Sequence, residues 1–488
     1  MRFVVPSPER NRSAGRCYHT RVRTLRVGFF TPVHNLDPEV VQDYVCGQII
    51  EQLYDAPYSL DDSGKPRSVL FDGPLVRRTK GARSIELAGT IREGAKFSDG
   101  TPVTATEVVD SLRRVPSIAS SAQIAGRDRK VVFTLPEDDP RFEVRLSHRW
   151  ASIVKRSGDQ IIGTGPFVLQ PGWTPELVYV DRNEYAVRPA KIDRVEFRVF
   201  PSTDGLKQAI NEGKIDLTTA LARDDVASLK GVRKDFQPGT STAMLSFNTE
   251  NQALADVEVR RAICEAVDRA EVARISYENP HAFTARSVLP PSMWRRGDGL
   301  RHDPKQARER LQASGVKPSR PLRMITIWGP RPYMPHPQET AQLIKRQLGR
   351  IGLEVEILPT SDSLDYRART RAGGYDLDLA GWIADTPDPF DFLNAICHSQ
   401  SIPTAERAAA YANNLARYQS QRMDAALAGY RKESSDRNLQ RIMDIVSDDV
   451  PMCPLFYGPN VVVHQWHVRN LEISATGMPK LAIVDVDR

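Results

Sequence analysis

Leu322-Arg323-Met324-Ile325-Thr326-Ile327-Trp328, followed by a helical stretch from Glu339 to Ile351, a stop at Gly352 and the alternating run Leu353-Glu354-Val355-Glu356-Ile357, decides the fold class. Strand, helix and strand in that order, over roughly the 30 residues of one such unit, require a parallel crossover, which places the chain among α/β folds. Outward from there the same grammar recurs. Leu25-Arg26-Val27-Gly28-Phe29-Phe30 alternates as a strand, Asn35-Leu36-Asp37-Pro38 breaks it, and Val40, Tyr44, Val45, Ile49 and Leu53 fall at helical spacing over Glu39 to Tyr54, with Pro38 suited to the first turn. Further helices are expected at Thr203 to Glu212, Val257 to Ile275, Pro304 to Ser314, Pro403 to Lys432 and Asn438 to Asp448, and strands at Asp376 to Ala380, Leu455 to Tyr457 and Val461 to Val463.

Residues 57 to 155 read differently. Asp61-Asp62-Ser63-Gly64 has turn chemistry, Ile85 to Leu87 and Lys130 to Leu135 read as antiparallel strands, and Thr104 with Glu107 forms a capping box ahead of a helix reaching Arg114. This is a small α+β unit set inside the α/β pattern.

At 488 residues and about 150 per domain, about three compact units are expected. Hydrophobic residues at 40% and charged residues at 26% are the balance of an ordinary globular protein. No run approaches the roughly 18 apolar residues of a membrane-spanning helix, and the mean hydropathy is -0.41. The net charge of +6 is interspersed rather than gathered into a stripe, which argues against nucleic acid as a partner. From Met1 to Arg26 there are seven arginines against the single Glu9 and no apolar core of signal-peptide length, so residues 1–24 are expected to form a disordered leader.

Motifs for chemistry are missing. Gly163-Thr164-Gly165-Pro166 lacks the spacing of a phosphate cradle and reads as a turn. His398 beside Cys397, and His464 with His467, lack further ligands at metal spacing, and the five cysteines form no C-x-x-C pair. No nucleophile elbow or His-Glu-x-x-His is present, so no catalytic residue, cofactor or metal is assigned. Asp385, Asp388 and Asp391 read by default as turn and cap aspartates around Pro387 and Pro389. One segment stands out as a binding candidate: Gly381-Trp382-Ile383-Ala384-Asp385 follows the strand Asp376 to Ala380, at the carboxyl end where open α/β sheets bind ligands. A Trp face beside a carboxylate suits an ammonium group carrying an apolar side chain.

These residues, with others in register, resemble the family 5 extracellular solute-binding proteins, the oligopeptide, dipeptide and nickel receptors of ABC importers. The resemblance runs through Leu36-Asp37-Pro38, Ile91-Arg92-Glu93-Gly94-Ala95-Lys96-Phe97-Ser98-Asp99-Gly100-Thr101-Pro102-Val103-Thr104-Ala105, Gly163 to Phe167, Gly213 to Leu217 and Phe247-Asn248-Thr249. It continues in Asp256 to Ala262, Ala266 to Arg269, Trp382 to Pro389 and Pro451 to Tyr457. It implies a two-lobe periplasmic-binding-protein-like α/β fold with a hinge and a small α+β domain inserted in the first lobe. The implied division is 25–56 and 156–240 for lobe I, 57–155 for the insertion, 241–464 for lobe II, and 465–488 as a return to lobe I. It also implies a non-catalytic monomer that closes around a peptide or other small solute and hands it to ABC transporter membrane subunits. Asp385 would hold the ligand's amino group, with Gly381 and Trp382 lining the pocket and Gln42 and Tyr44 facing it from the first lobe. The implied location is periplasmic or extracellular. Without a recognisable signal peptide in the sequence, the rival expectation is a cytoplasmic ligand sensor that reuses the fold.

Overall fold

Leu25, Val27 and Phe29 occupy alternate positions along the strand Thr24–Phe29, and all three are fully buried. Phe29 stacks on Phe197 at 6.0 Å across the parallel pairing with Arg194–Val199. The computed structural model describes residues 22–487 apart from 41–43, 62–63, 81–83, 222, 278–282, 298, 328, 330, 332, 385, 405–412 and 475–476. The leader up to residue 21, Gln42 and Asp385 therefore lie outside the described residues.

The large sheet has ten strands. Their order is Phe167–Leu169, Leu177–Arg182, Arg194–Val199, Thr24–Phe29, Leu217–Thr218, Met452–His464, Arg233–Phe247, Leu377–Ile383, Leu322–Thr326 and Val355–Leu358. Leu322–Thr326 pairs in parallel with both Val355–Leu358 and Leu377–Ile383, as the crossover requires, and Pro337–Gly349 is the helix between the first two. The helix at Pro304–Ser314 ends on Gly315 at φ 66°, a left-handed cap that glycine adopts without a Cβ penalty.

Two long antiparallel strands, Arg233–Phe247 and Met452–His464, join the halves of this sheet. Their register breaks between Gln237 and Ser241, where Pro238-Gly239 faces Gly458-Pro459. Proline supplies no N–H to a ladder, so prolines on both strands at one level interrupt the pairing. A Cβ on Gly239 would lie 1.6 Å from the Gly458 carbonyl oxygen, so the backbones touch where only glycine fits. The cores separate at this level. Leu455 and Phe456 bury with Leu245, Phe247 and Ile344, whereas Val462 buries with Leu25 and Phe197, and Val461 and Val463 with Leu206 and Ile210.

The small unit has its own four-stranded antiparallel sheet, ordered Val76–Lys80, Ser84–Thr90, Lys130–Leu135 and Gln123–Arg127, and its own core around Phe71, Phe97, Phe133 and Phe142. Its helix Ala105–Arg113 starts at the Thr104 and Glu107 capping box. The fold is thus α/β with two lobes and a separate α+β unit.

Several elements depart from the periodicity reading. The helix expected over Val257 to Ile275 is two helices, Val257–Ala266 and Arg269–Arg274, because Asp268 caps the second by accepting from Ala270 N and Glu271 N. Ser420 likewise starts Gln421–Lys432, and residues 413–420 before it are not helical. Leu455 to Tyr457 and Val461 to Val463 belong to one strand, and the strand expected to end at Ala380 continues to Ile383. Val461, Val462 and Val463, toward the end of this strand, bury with Leu25, Phe197, Leu206 and Ile210.

Two predictions follow from this packing. Gly239→Ala should lower the urea midpoint by the equivalent of about 2 kcal/mol, the usual cost of forced overpacking, and an unchanged midpoint would refute the close approach. Asp378, buried under the Tyr366 hydroxyl at 2.7 Å and faced by Tyr333 and Tyr375, has its carboxyl pushed up to about 7 by burial. A native carboxyl that binds its proton more tightly than the unfolded one, at roughly 3.9, favours folding at low pH and loses that contribution as pH rises through about 7. Asp378→Asn should therefore raise the melting temperature more at pH 8 than at pH 5, and equal shifts would contradict this.

Candidate functional site

Gly381 and Trp382 lie on the strand Leu377–Ile383, paired with Ala243 and Thr242 of the hinge strand. Gly381 has no room for a side chain: a Cβ there would meet the Thr242 carbonyl oxygen at 2.5 Å and the Tyr333 ring at 2.7 Å. Trp382 is half-buried and packs on a cluster containing Met244, Phe390 and Phe392. Past Ile383 the chain turns off the sheet, and Ala384 N donates to Thr240 O at 2.9 Å, which ties the start of the loop to the hinge.

The far end of that loop is held by the small unit. Asp388 caps the helix Pro389–Cys397 by accepting from Phe390 N at 2.9 Å, and its other oxygen is in contact with Arg141. The Arg141 guanidinium also lies 5.0 Å over the Tyr430 ring and 5.4 Å over the Phe390 ring, and it donates to Ser434 Oγ at 2.7 Å. Asp391 accepts from the Thr386 hydroxyl and lies 3.2 Å from His148 Nε2, whose ring stacks on Trp150 at 4.0 Å. Asp139 is paired with Arg145 at 2.5 Å from its own unit and with Arg431 at 2.9 Å from the other lobe.

These contacts are largely dry. Asp139 is 1% exposed, His148 4% and Arg141 11%. Burial alone would push the Asp391 carboxyl up, but His148, Thr386 and Arg141 together hold it below the usual carboxylate range. Asp139 is held low in the same way, its burial outweighed by Arg145 and Arg431. The capping role expected of Asp388 is present, and to it is added a charge contact that sequence reading missed. The partners Asp139, Arg141, Arg145 and His148 lie some 240 residues upstream in a segment whose only signal is cations at i and i+4.

Tyr44 sits on the other side, on the helix Tyr44–Leu53, with its hydroxyl already donating to Gly477 O at 2.9 Å. Burial raises its phenol well above the ordinary value. Gln48, one turn on, donates to Thr219 Oγ1 at 2.9 Å and was not singled out in the sequence. The structure thus brings Gly381 and Trp382 together and places Tyr44 in the first lobe. The glycines at 163 and 165 serve close packing: a Cβ on either would fall within 2.5 Å of the backbone at Leu53. Among the described residues no cluster of three or more His, Cys, Asp or Glu could hold a metal, and no helix is long and apolar enough to cross a membrane.

Residues 87–404, which hold the Asp388 helix cap, the crossing strand Arg233–Phe247 and the Trp382 loop, match the family model described as bacterial extracellular solute-binding proteins, family 5 middle. The chain belongs to this family. Among curated relatives, heme-binding protein A of Haemophilus influenzae is 27% identical over 309 residues, covering 60% of this chain and 54% of that protein. The peptide transport periplasmic protein SapA of Salmonella typhimurium is 23% identical over 410 residues, covering 78% of this chain and 71% of that one. The matched part of this chain thus spans about half the length of the first relative and more of the second. A dipeptide-binding protein from Pseudoalteromonas sp. SM9913, solved with Met-Leu, shares the fold at a TM-score of 0.84 and 19% identity, covering 95% of this chain and all of that one.

The contacts between the small unit and the second lobe form a coupled group, and this is testable without a ligand. Asn caps a helix as well as Asp, so Asp388→Asn removes charge but keeps the helix start. Arg141→Ala and Asp388→Asn should each cost about 3 kcal/mol in urea unfolding, since each strands a buried charge, and the double variant should cost much less than the two together. Because Asp391 and Asp139 are held low when folded, their contribution is complete above pH ~4 and is lost as pH falls through their depressed native values. Strict additivity at pH 7 would refute the coupling.

Proposed function

We propose that this family 5 protein is the solute-binding component of an ABC-type importer, taking up a peptide or another small amine-bearing solute between its lobes and releasing it to membrane subunits without chemistry of its own. The observation that carries the reading is the anchoring of the Trp382 loop. It leaves the sheet tied to hinge residue Thr240, and its distal end, Asp388 and Asp391, reaches Arg141 and His148 of the small unit. A ligand seated on such a loop is positioned to contact both sides of the molecule, and only a ligand that binds the closed arrangement better than the open one can drive closure.

The chemistry of the loop favours an amine. Trp382 offers an aromatic face, and the neighbouring carboxylate of Asp385 in the sequence supplies the charge partner for an ammonium. Two relatives, a peptide transport periplasmic protein in Salmonella typhimurium and a dipeptide-binding protein in Escherichia coli, support peptides as the first class to test. The family's description as extracellular supports a periplasmic or extracellular location. On this reading lobe I comprises residues 25–56, 156–240 and the return through Val461, the insertion spans 57–155, and lobe II lies between the two hinge crossings. Tyr44 and Gln42 then face the ligand from lobe I.

A thermal-shift screen against di- to pentapeptides, single amino acids, nickel chelates, heme and sugars tests this directly. Ligand at 100 times its dissociation constant adds about 2.7 kcal/mol, so a peptide hit should raise the melting temperature visibly. With that hit, Asp385→Ala should weaken binding by about 2–5 kcal/mol and Trp382→Ala by a smaller amount, read by calorimetry. Affinity unchanged in Asp385→Ala would remove the amine assignment, and silence across all peptides would remove the peptide class.

A further inference from the structure

The second lobe contains a cavity away from the Trp382 loop, and two cysteines from distant parts of the chain meet there. Cys264 sits near the end of the helix Val257–Ala266, and Cys453 near the start of the hinge-crossing strand Met452–His464. Both are buried in the same core, and both line a cavity of about 180 Å³ together with Arg269, Trp294 and Met443. Arg296, Asp444 and Ser447, which also border it, are exposed, so the cavity reaches solvent.

The two thiols are close enough for each to perturb the other, and the Cys453 thiol also donates to the Pro454 carbonyl oxygen at 3.8 Å. The Arg269 guanidinium, held in place by the carbonyls of Ala285 and Leu300, brings a positive charge to both sulfurs. The result is asymmetric. The neighbouring Cys264 and the charge of Arg269 hold the Cys453 thiol below its ordinary value, whereas burial and its neighbour push Cys264 well above it. Two thiols side by side at a cavity that reaches solvent, with a guanidinium beside both, form the electropositive setting of a dithiol open to oxidation. Cys397 has no such setting: burial alone raises it to about 12.

We propose that Cys264 and Cys453 form an oxidisable pair that closes to an intramolecular disulfide when a small organic disulfide reaches them. The Cys453 thiolate attacks one sulfur of the oxidant, forming a mixed disulfide and expelling the other half as a thiolate. The Cys264 sulfur then attacks Cys453, forming the internal bond and expelling the second half. The two protons of the protein thiols end on the two expelled thiolates, so the protein dithiol is oxidised and the small disulfide is reduced to two thiols. The bond formed ties a helix of the second lobe to the strand that crosses the hinge. Nothing in this proposal depends on the identity of the transported solute.

The test treats the full-length protein with cystine, both natively and during refolding from urea, followed by alkylation and peptide mapping. The expected result is one linked peptide pair joining Cys264 to Cys453, with Cys46 and Cys397 alkylated and a higher melting temperature that dithiothreitol reverses. Cys264→Ala and Cys453→Ala should each abolish the link and the shift, while Cys397→Ala should leave both intact. Retention of both thiols under native and refolding conditions, a persistent mixed disulfide at Cys264 or Cys453 in the wild type, or a link from either to another cysteine, Cys17 included, would each overturn the pairing.

Discussion

Two backbones that touch at Gly239 and Gly458 constrain everything else in this molecule. Antiparallel strands normally run continuously through one core, but here a Pro-Gly and a Gly-Pro face each other and the ladder loses donors on both sides at one level. On one side of that level Phe456 belongs to the core of the second lobe; on the other Val461 and Val463 belong to the first. A single sheet can therefore be continuous in connectivity and still flex at a defined line. The crossing also fixes where the Trp382 loop leaves the sheet, since Ala384 is tied to Thr240 beside it.

The second constraint is electrostatic and acts at a distance from the first. The small unit presents Arg141, Arg145 and His148, and the second lobe presents Asp388, Asp391 and Arg431, with Asp139 bridging. Removing such charges from water costs several kcal/mol per ion, which their attraction recovers only when geometry and hydrogen bonding are good. The ring stacking of His148 on Trp150 and the placement of Arg141 over Tyr430 and Phe390 supply that rigidity. The crossing strands join the lobes, and this group sets which surfaces of the small unit and the second lobe meet.

Local rules were legible in the sequence wherever one residue type determines the backbone. The Thr104 and Glu107 box, the Gly315 stop and the alternating strands formed as read, because capping and burial at those points depend on neighbours a few residues away. Where reading failed, a competing local interaction decided. Asp268 and Ser420 start new helices that apolar periodicity alone ran through, since a cap costs nothing in the hydrophobic pattern. Strand length past Ala380 was set by pairing with Thr242 and Ser241, which no window of sequence reveals. Gly381 and Trp382 could be singled out as candidates because aromatic and small residues at a strand end are a local signal. The Arg141 and His148 group was missed because its meaning lies in partners on another lobe.

A binding protein that closes on its ligand needs both constraints to be nearly balanced. If the ion pairs between the small unit and the second lobe were strongly favourable by themselves, the closed state would dominate without ligand, and binding would be blocked by the absence of an open entrance. Moving a two-state equilibrium from 1:99 to 99:1 takes about 5.5 kcal/mol of differential affinity. A ligand supplies such a bias only through contacts that it makes better in one arrangement than in the other. Buried ion pairs suit this role, because their attraction and desolvation nearly cancel. They thus fix which surfaces of the small unit and the second lobe meet, and in what register, while adding little net bias toward that arrangement.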